Sequence, residues 1–351
     1  MVHDITLKEL FDLQNKEAHT MIDVRSPKEF DEATIPGSIN IPIFDNDERA
    51  EVGTIYKQVG SEAAKERGLE IFSAKLPDFI NAFASIETSK TVFCWRGGMR
   101  SKTAATVLDL IGNQSFRLSG GIRSYRQWVV HTLDNYQLKS EAYVLNGYTG
   151  SGKTILLEKL SQNGYPVLDL EGMASHRGSI FGQIGLDPSN QKKFESQLVE
   201  ALSEHQNAPF LFMEGESKRI GKVTIPDFLY NHKENGIQVF VDLPVEERIK
   251  NILDDYQPWN NPEKFMEAFN LIKKRIHTPI AKDIHDHLTN EEYSSAVQLL
   301  LEYYYDPRYE HATKVYPNDK IITIQAQTIE EAFQQVQGLI KEIEMKQQKL
   351  S

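Results

Sequence analysis

The segment "LNGYTGSGKT" (145–154) constrains the fold of this chain more than any other stretch. It satisfies G-x-x-x-x-G-K-[ST] in full, following the apolar run "AYVLN" and preceding "TILLEKLSQNG", whose apolar residues keep helical spacing up to Gly164. A strand that passes through a glycine turn into a helix is the first half of a crossover unit. The region must therefore hold a parallel sheet, with its ligand at the C-terminal strand ends. The chemistry of the turn follows from its residues. Gly147, Gly150 and Gly152 permit close backbone approach, and the N–H groups of Tyr148, Thr149, Ser151 and their neighbours cradle phosphate oxygens. Lys153 supplies a point charge, and Thr154 is the residue placed to ligate a magnesium ion.

The rest of the second half repeats the alternation. "YPVLDLEG" (165–172), "PFLFMEGES" (209–217) and "IQVFVDLP" (237–244) read as buried strands, and the last two end in acidic residues. Glu214 and Asp242 are thus alternatives for the carboxylate that holds magnesium through water. "DPSNQKKFESQLVEALSEH" (187–205) predicts a helix with Asp187 as N-cap and Pro188 at the first helical position. From Val245 onward the pattern is mostly helical and closes in the charged amphipathic stretch "IEEAFQQVQGLIKEIEMKQQK".

A separate alternating series precedes the phosphate turn. "HTMIDVRS" (19–26) and "TVFCW" (91–95) read as strands, and "SFRL" (115–118) as a short one. Helices are expected from Leu7 to about Leu13, in "PKEFDEA" opened by Pro27, and in "SKTAATVLDLIG" ending at Gly112. "IPGSINIP" and Gly120-Gly121 are turns, and the polar piece "HTLDNYQLKSE" (131–141) reads as the seam between domains. With 351 residues there is enough chain for two cores, and the boundary is set at 1–135 and 136–351.

The only cysteine sits in the loop "CWRGGMRSK" after the second of these strands. A free thiol has a pKa near 8.5, so a reactive one needs a positive or hydrogen-bonding cradle. Gly97 and Gly98 let successive N–H groups turn inward as an anion nest, the helix starting near Ser101 adds its positive end, and Arg96 and Arg100 bring full charges. Such a loop suits a thiolate, a persulfide or perselenide, or an oxyanion beside Cys94. The plainer alternative, a small buried hydrophobe, leaves two glycines and two arginines without a role.

Composition removes several classes. One cysteine excludes an internal disulfide and an all-cysteine zinc site, and fits a reducing compartment. No apolar run reaches the roughly 18 residues of a membrane span, and the opening "MVHDITLKELFDLQNKE" lacks the order of a signal peptide, so a cytoplasmic protein is expected. The formal charge of -11 repels a polyanion globally. One specific RNA bound at a local basic surface remains compatible with it, and "SKRIGK" (217–222) and "KKRIH" (273–277) are candidate cations, each equally readable as a solvated face.

The segments "IDVRSPKEF", "IPGSINIP" and "CWRGGMRS" together resemble a rhodanese domain over about the first 130 residues. That resemblance implies a sulfurtransferase-type fold with Cys94, Arg96, Gly97, Gly98 and Arg100 in the active-site loop, and Asp23 and Arg25 as scaffold. Joined to "GYTGSGKT", "DLEGMASHRGSIFG" (169–182) and "EGESKRIG" (214–221), with "GTIYKQVG" (53–60) and "YYDPRY" (304–309), the chain resembles the bacterial tRNA 2-selenouridine synthase family over nearly its whole length. The family resemblance implies an α/β architecture: a rhodanese-like parallel-sheet domain, then a P-loop domain with a helical C-terminal part. It also implies a tRNA substrate whose wobble 2-thiouridine becomes 2-selenouridine through an S-geranyl intermediate. Geranyl diphosphate and selenophosphate are the implied co-substrates, and an enzyme that makes selenophosphate is the implied protein partner.

Further candidates come from the same segments: Glu171, His176, Arg177, Ser179, Glu214, Glu216, Ser217 and Arg219. A carboxylate at a strand end beside a phosphate loop can hold metal or orient a nucleophile, and Arg177 and Arg219 suit a second phosphate or the RNA backbone. His176 lies in a polar turn with Arg177 and Gly178, an unusual place for a core histidine. For each, the alternative is a helix cap or a surface ion pair. Tyr303, Tyr304 and Tyr305 suit base or prenyl stacking, or a core. Two rival functions stay open on sequence. A small-molecule kinase with a regulatory rhodanese module would hydrolyse nucleotide without RNA, and a binding protein that senses selenium or sulfur species would show no turnover.

Overall fold

The structure, a computed structural model, describes residues 2–308 and 316–348, so Tyr309 of the "YYDPRY" segment lies outside the described residues. Two units emerge, residues 1–135 with 195–199, and residues 136–194 with 200–351.

In the first unit, Thr91, Val92, Phe93 and Cys94 are all buried, the continuous run expected of a strand covered on both faces. That strand, β4 (Ser89–Phe93), lies in a sheet with β1 (His3–Ile5), β2 (His19–Asp23), β3 (Ile39–Asn40) and β5 (Phe116–Leu118). The order is β1-β5-β4-β2-β3, and every pairing is parallel. Asp23 pairs with Phe93 in register, so the loops after β2 and β4 leave the sheet at the same edge. Asp23 and Arg25 form a buried pair with Nη2–Oδ2 at 2.6 Å, and Thr34 and the Ala33 carbonyl take their remaining contacts. They hold the loop after β2 as scaffold. The helix Gly121–Asp134 runs into the stretch read as the seam, which is therefore partly helical.

Two long helices, Asn46–Gln58 and Ser61–Ala84, were not anticipated. The signal was present: Asp45 and Glu48 form a reciprocal cap, with Asp45 Oδ1 accepting from Glu48 N at 2.9 Å and Glu48 Oε2 accepting from Asp45 N at 2.8 Å. "GTIYKQVG" forms the end of the first helix and the turn at Gly60 (φ 138°).

The second unit carries β6 (Glu141–Gly147), β7 (Val167–Leu168), β8 (Phe210–Glu214), the hairpin strands β9 (Arg219–Ile220) and β10 (Val223–Thr224), β11 (Ile237–Asp242) and β12 (Ile321–Gln325). The five-stranded sheet runs β12-β11-β6-β8-β7, all parallel. Chain order reverses at β6, which lies between β8 and β11. Its C-terminal end is the switch point where such sheets bind ligands, and the glycine turn begins there. The helices Lys153–Gln162 and Ile329–Gln348 cover one face through Leu156, Leu160, Phe333, Val336 and Ile340. A helical region from Val245 to Tyr305 has its own core of Phe181, Phe265, Phe269, Ile284 and Tyr304.

Two local expectations are corrected. The strand read over 165–172 spans only Val167–Leu168; Asp169 then caps a short helix, Leu170–Ala174, by accepting from Gly172 N at 2.7 Å. Glu171 is thus helical rather than a strand-end residue. The next helix starts at Gln191 with Asn190 as cap, not at Pro188 with Asp187 as cap. Proline disfavours helical backbone in the residue before it, Ser189 N is tied to Ala174 O at 3.2 Å, and Asn190 Oδ1 accepts from Lys193 N at 3.1 Å. Among the described residues no helix is long and apolar enough to cross a membrane.

Candidate active sites

The phosphate turn is built so that side chains hold its carbonyls from behind. Gly150 and Gly152 have φ of 80° and 74°, and a Cβ on Gly152 would lie 1.9 Å from Ile329 Cδ1. Arg248 donates from Nε to Thr149 O at 2.9 Å, and Asn251 donates from Nδ2 to Gly150 O at 2.9 Å. With those carbonyls held, the opposite side of the turn is left to its N–H groups, of which that of Ser151 is taken by Tyr148 O at 3.0 Å. Arg248 is itself fixed by two bonds to Asp306 at 3.0 and 2.6 Å and lies 5.0 Å over the Tyr148 ring. Lys153 folds back to donate to Gly147 O at 3.3 Å, so it waits over the cradle.

The pocket in front of this turn brings together Thr149, Gly150, Gly152, Lys153 and Thr154 with Glu171, Arg177, Gly178, Ser179 and Glu216 from the sequence expectation. Thr154 Oγ1 donates to Glu171 Oε2 at 3.2 Å. Burial first, and then the charge of Glu216, push Glu171 well above the ordinary carboxylate range. Glu214 lies behind it, fully buried, with Oε2 accepting from Leu170 N at 2.9 Å; burial, then Asp169 and Glu171, raise its pKa strongly. Neither strand-end carboxylate lines this pocket: Asp242 is exposed beside Gly147 and Tyr148 on another cavity, and Glu214 is fully buried behind Glu171.

Among the described residues no three acidic or histidine side chains are grouped to ligate an ion directly. A hydroxyl next to clustered carboxylates nevertheless suits a magnesium ion that keeps several waters. Thr154 would hold it directly, with Glu171 reached through water.

Arg177 donates from Nε to Asp255 Oδ1 at 2.8 Å and stacks 5.0 Å over Tyr256. Ser179 Oγ and Tyr256 OH are 2.9 Å apart, and burial raises the tyrosine's pKa. His176 is half-buried. It accepts from Gly178 N at 3.1 Å, and burial lowers its pKa, so it serves to shape the turn. Ser217 and Arg219 are not brought into the pocket. Both are exposed, Ser217 bonding to Arg219 O at 2.7 Å and Arg219 Nε to Gly221 O at 3.2 Å within the β9–β10 hairpin. Sequence reasoning missed Arg248, Asn251, Asp255 and Tyr256, which come from a helix distant in the chain.

A second cavity adjoins the first. Thr149, Ser179, Ile252, Tyr256 and Tyr305 line both, and beyond them the walls are Phe181, Phe265, Val297, Leu300 and Leu301. Of the tyrosine run, Tyr303 is exposed and Tyr304 is core, while Tyr305 faces the two cavities.

In the first unit the cysteine loop is tied to the start of the helix Gly121–Asp134. Ile122 N donates to Cys94 O at 2.9 Å, and Arg123 N to Trp95 O at 3.1 Å. Gly97 (φ 65°) approaches so closely that a Cβ would lie 2.9 Å from Leu118 O. Gly98 caps the helix Met99–Leu110, and the N–H groups of Arg96, Gly97 and Gly98 have no acceptor among the described residues. Three consecutive unbonded amides are compatible with the expected nest. Two features differ from expectation. Cys94 is only 3% exposed, with Sγ 3.2 Å from Ser101 Oγ, because β4 carries it into the core with Val92 and Ala105. Arg100 is engaged by Glu29, Nη1 to Oε2 at 2.5 Å, while Arg96 is exposed.

Fold and sites define a two-unit α/β enzyme that joins a cysteine-loop sulfurtransferase-type unit to a P-loop unit with an apolar annex. Residues 6–127 match the rhodanese-like domain family, and residues 140–338 match the family described as the tRNA 2-selenouridine synthase AAA domain. The tRNA 2-selenouridine synthase of Nitrosomonas europaea is 36% identical over 272 residues, covering 74% of this chain and 69% of that one. That of Nitrosomonas eutropha is 33% identical over 339 residues, covering 82% and 87%. The chain belongs to the tRNA 2-selenouridine synthase family. Among solved structures, the N-terminal domain of a putative ATP/GTP binding protein from Clostridium difficile is 34% identical, covering 37% of this chain and 99% of that one with a TM-score of 0.35.

Proposed function

We propose that the chain converts wobble 2-thiouridine of tRNA to 2-selenouridine in two steps, alkylation by geranyl diphosphate and displacement by selenophosphate. The observation that carries the first step is the apolar cavity sharing Thr149, Ser179, Ile252, Tyr256 and Tyr305 with the phosphate pocket. A nucleotide would place a polar sugar and base beside its phosphates. Here the adjoining walls are Phe181, Phe265, Val297, Leu300 and Leu301, apolar like the hydrocarbon tail of an allylic diphosphate; at about 40 Å³ the cavity must widen to take ten carbons.

In that step the thiocarbonyl sulfur attacks C1 of the geranyl group, the C1–O bond breaks, pyrophosphate leaves, and the base loses its N3 proton to water. The N–H cradle and Lys153 stabilise the charge gathering on pyrophosphate. A magnesium ion at Thr154 would add Lewis-acid stabilisation of the same charge. Burial raises the pKa of Glu171 and Glu214, which limits negative charge at the metal-free pocket; a magnesium ion beside Thr154 would favour the ionised form of Glu171.

In the second step the selenium of selenophosphate attacks C2 and geranylthiolate departs. Water then cleaves the Se–P bond, yielding phosphate and 2-selenouridine. The free amides of Arg96, Gly97 and Gly98 suit the phosphate oxygens of the donor, and Cys94 at the start of the same loop would position its selenium for the attack. A tRNA substrate places the work in the cytoplasm. The test is incubation of the full chain with 2-thiouridine tRNA, geranyl diphosphate and selenophosphate, followed by nucleoside mass analysis. Geranylated uridine with geranyl diphosphate alone, and selenated uridine with both, are expected; absence of both products refutes the reading.

A further inference from the structure

The first unit holds a cavity of about 770 Å³ between the helices Asn46–Gln58 and Ser61–Ala84, within the range of roughly 300–1,000 Å³ typical of small-molecule sites. Its walls include Val52, Tyr56, Leu69 and Phe72, and it reaches Met99 and Arg100 on the first turn after the cysteine loop. Tyr56, Leu69 and Met99 are 63%, 61% and 58% exposed. Large apolar side chains gathered around one open groove mark a binding surface rather than scattered surface hydrophobes.

The charges around the groove narrow its occupant. Lys57 in the wall and Arg96 in the cysteine loop are both exposed, and neither makes an ion pair among the described residues. Trp95 beside Arg96 is 41% exposed. In a chain of formal charge -11, cations left without acidic partners are the groups available to phosphates. An apolar trough with an unpaired Lys57 in its wall, and with Trp95 and Arg96 exposed in the loop that leads to its Met99 end, fits a ligand that is hydrocarbon in one part and nucleic acid in the other.

We infer that this groove receives the prenyl chain of an S-alkylated nucleobase, while Lys57 and Arg96 hold phosphates of the same RNA. The inference rests on the proposed alkylation and extends it. Displacement beside the cysteine loop brings the alkylated base there, and its ten-carbon chain then needs an apolar bed that starts at the loop. The groove starts at Met99 and Arg100.

The test compares two anticodon stem-loop RNAs binding to the full chain, one carrying S-geranyl-2-thiouridine and one carrying S-methyl-2-thiouridine. The wild type is expected to hold the geranyl RNA at least tenfold more tightly. Leu69→Glu and Tyr56→Glu, both on exposed positions, are each expected to cut that preference at least fivefold while S-methyl binding stays within twofold. Absence of a geranyl preference in the wild type, or its survival in both variants, overturns the inference. Because the probes are supplied already alkylated, a chain unable to use geranyl diphosphate would refute the alkylation reading without deciding this one.

Discussion

Replacing Arg248 with Met keeps the length of the side chain and removes the group that holds the phosphate turn from behind. The bond lost to the turn itself is Nε to Thr149 O at 2.9 Å. A hydrogen bond from a charged donor contributes roughly 1.5–3 kcal/mol. If that bond keeps the Thr149 carbonyl turned away from the anion, pyrophosphate affinity falls about 10- to 150-fold at ~1.4 kcal/mol per decade. The variant also strands Asp306, whose pairing with Arg248 is buried on one side and 27% exposed on the other. Full burial would make the loss roughly 3–5 kcal/mol; with the carboxylate partly in water about 2–3 kcal/mol of stability is expected to go. The two effects separate in the double variant Arg248→Met with Asp306→Asn. Neutralising the stranded acid is expected to restore much of the thermal stability and none of the affinity. Thermal unfolding and calorimetric titration with pyrophosphate read the two quantities. Pyrophosphate affinity within twofold of wild type in a folded Arg248→Met chain would refute the reading that carbonyl restraint creates the cradle.

Further outcomes follow from the other sites. Lys153→Ala is expected to weaken pyrophosphate at least 30-fold with little change in melting temperature, because a flexible point charge is lost while the turn stays built; titration calorimetry checks it. Glu214 has a folded-state pKa raised above its ordinary value of 4.5, so its contribution to stability is complete below that pH and is lost as pH rises toward the folded value. Glu214→Gln is therefore expected to flatten the fall in unfolding free energy above pH 4.5. Cys94→Ala is expected to keep geranyl transfer within threefold and to lose selenation at least 100-fold, read by nucleoside mass analysis. Equal loss of both products would count against separate roles for the two units.

What could be read from the chain depended on how local the chemistry is. The phosphate cradle and the cysteine nest are backbone features of a few consecutive residues, and their glycines disclose the required dihedrals: Gly150, Gly152 and Gly97 all adopt left-handed φ. Arg248 and Asn251 were illegible for the opposite reason. They lie about a hundred positions from the carbonyls they hold, and as residues of an amphipathic helix they look like any polar face. Glu171 was found as a candidate but misassigned to a strand, because "VLDL" has strand composition while the Asp169 side chain caps a helix that begins at the next residue. Ser217 and Arg219 show the converse error. A motif rich in polar residues lies beside the pocket in sequence, and its backbone turns away into a hairpin.

The buried thiol bears on how the second step proceeds. Attack by an open, solvent-facing cysteine would require Sγ at the surface, whereas here it is 3% exposed and bonded at 3.2 Å to Ser101 Oγ, in the first turn of the following helix. The carbonyls of Cys94 and Trp95 are fixed by Ile122 and Arg123, so the start of the loop resists movement. In its middle the carbonyls are also held, Gly97 O by Arg117 Nη1 at 3.2 Å and Gly98 O by Lys102 N at 3.0 Å, but the amides from Arg96 to Gly98 have no acceptor among the described residues. An anion settling on those amides supplies acceptors they lack among the described residues, and a shift of the loop to meet it is the movement that would uncover Sγ. Donor binding and thiol exposure are thus coupled: alkylation of Cys94 by iodoacetamide should accelerate when phosphate or selenophosphate is added, at equal ionic strength. A rate unchanged or slowed by the anion would mean that the nest shields the sulfur instead of opening it.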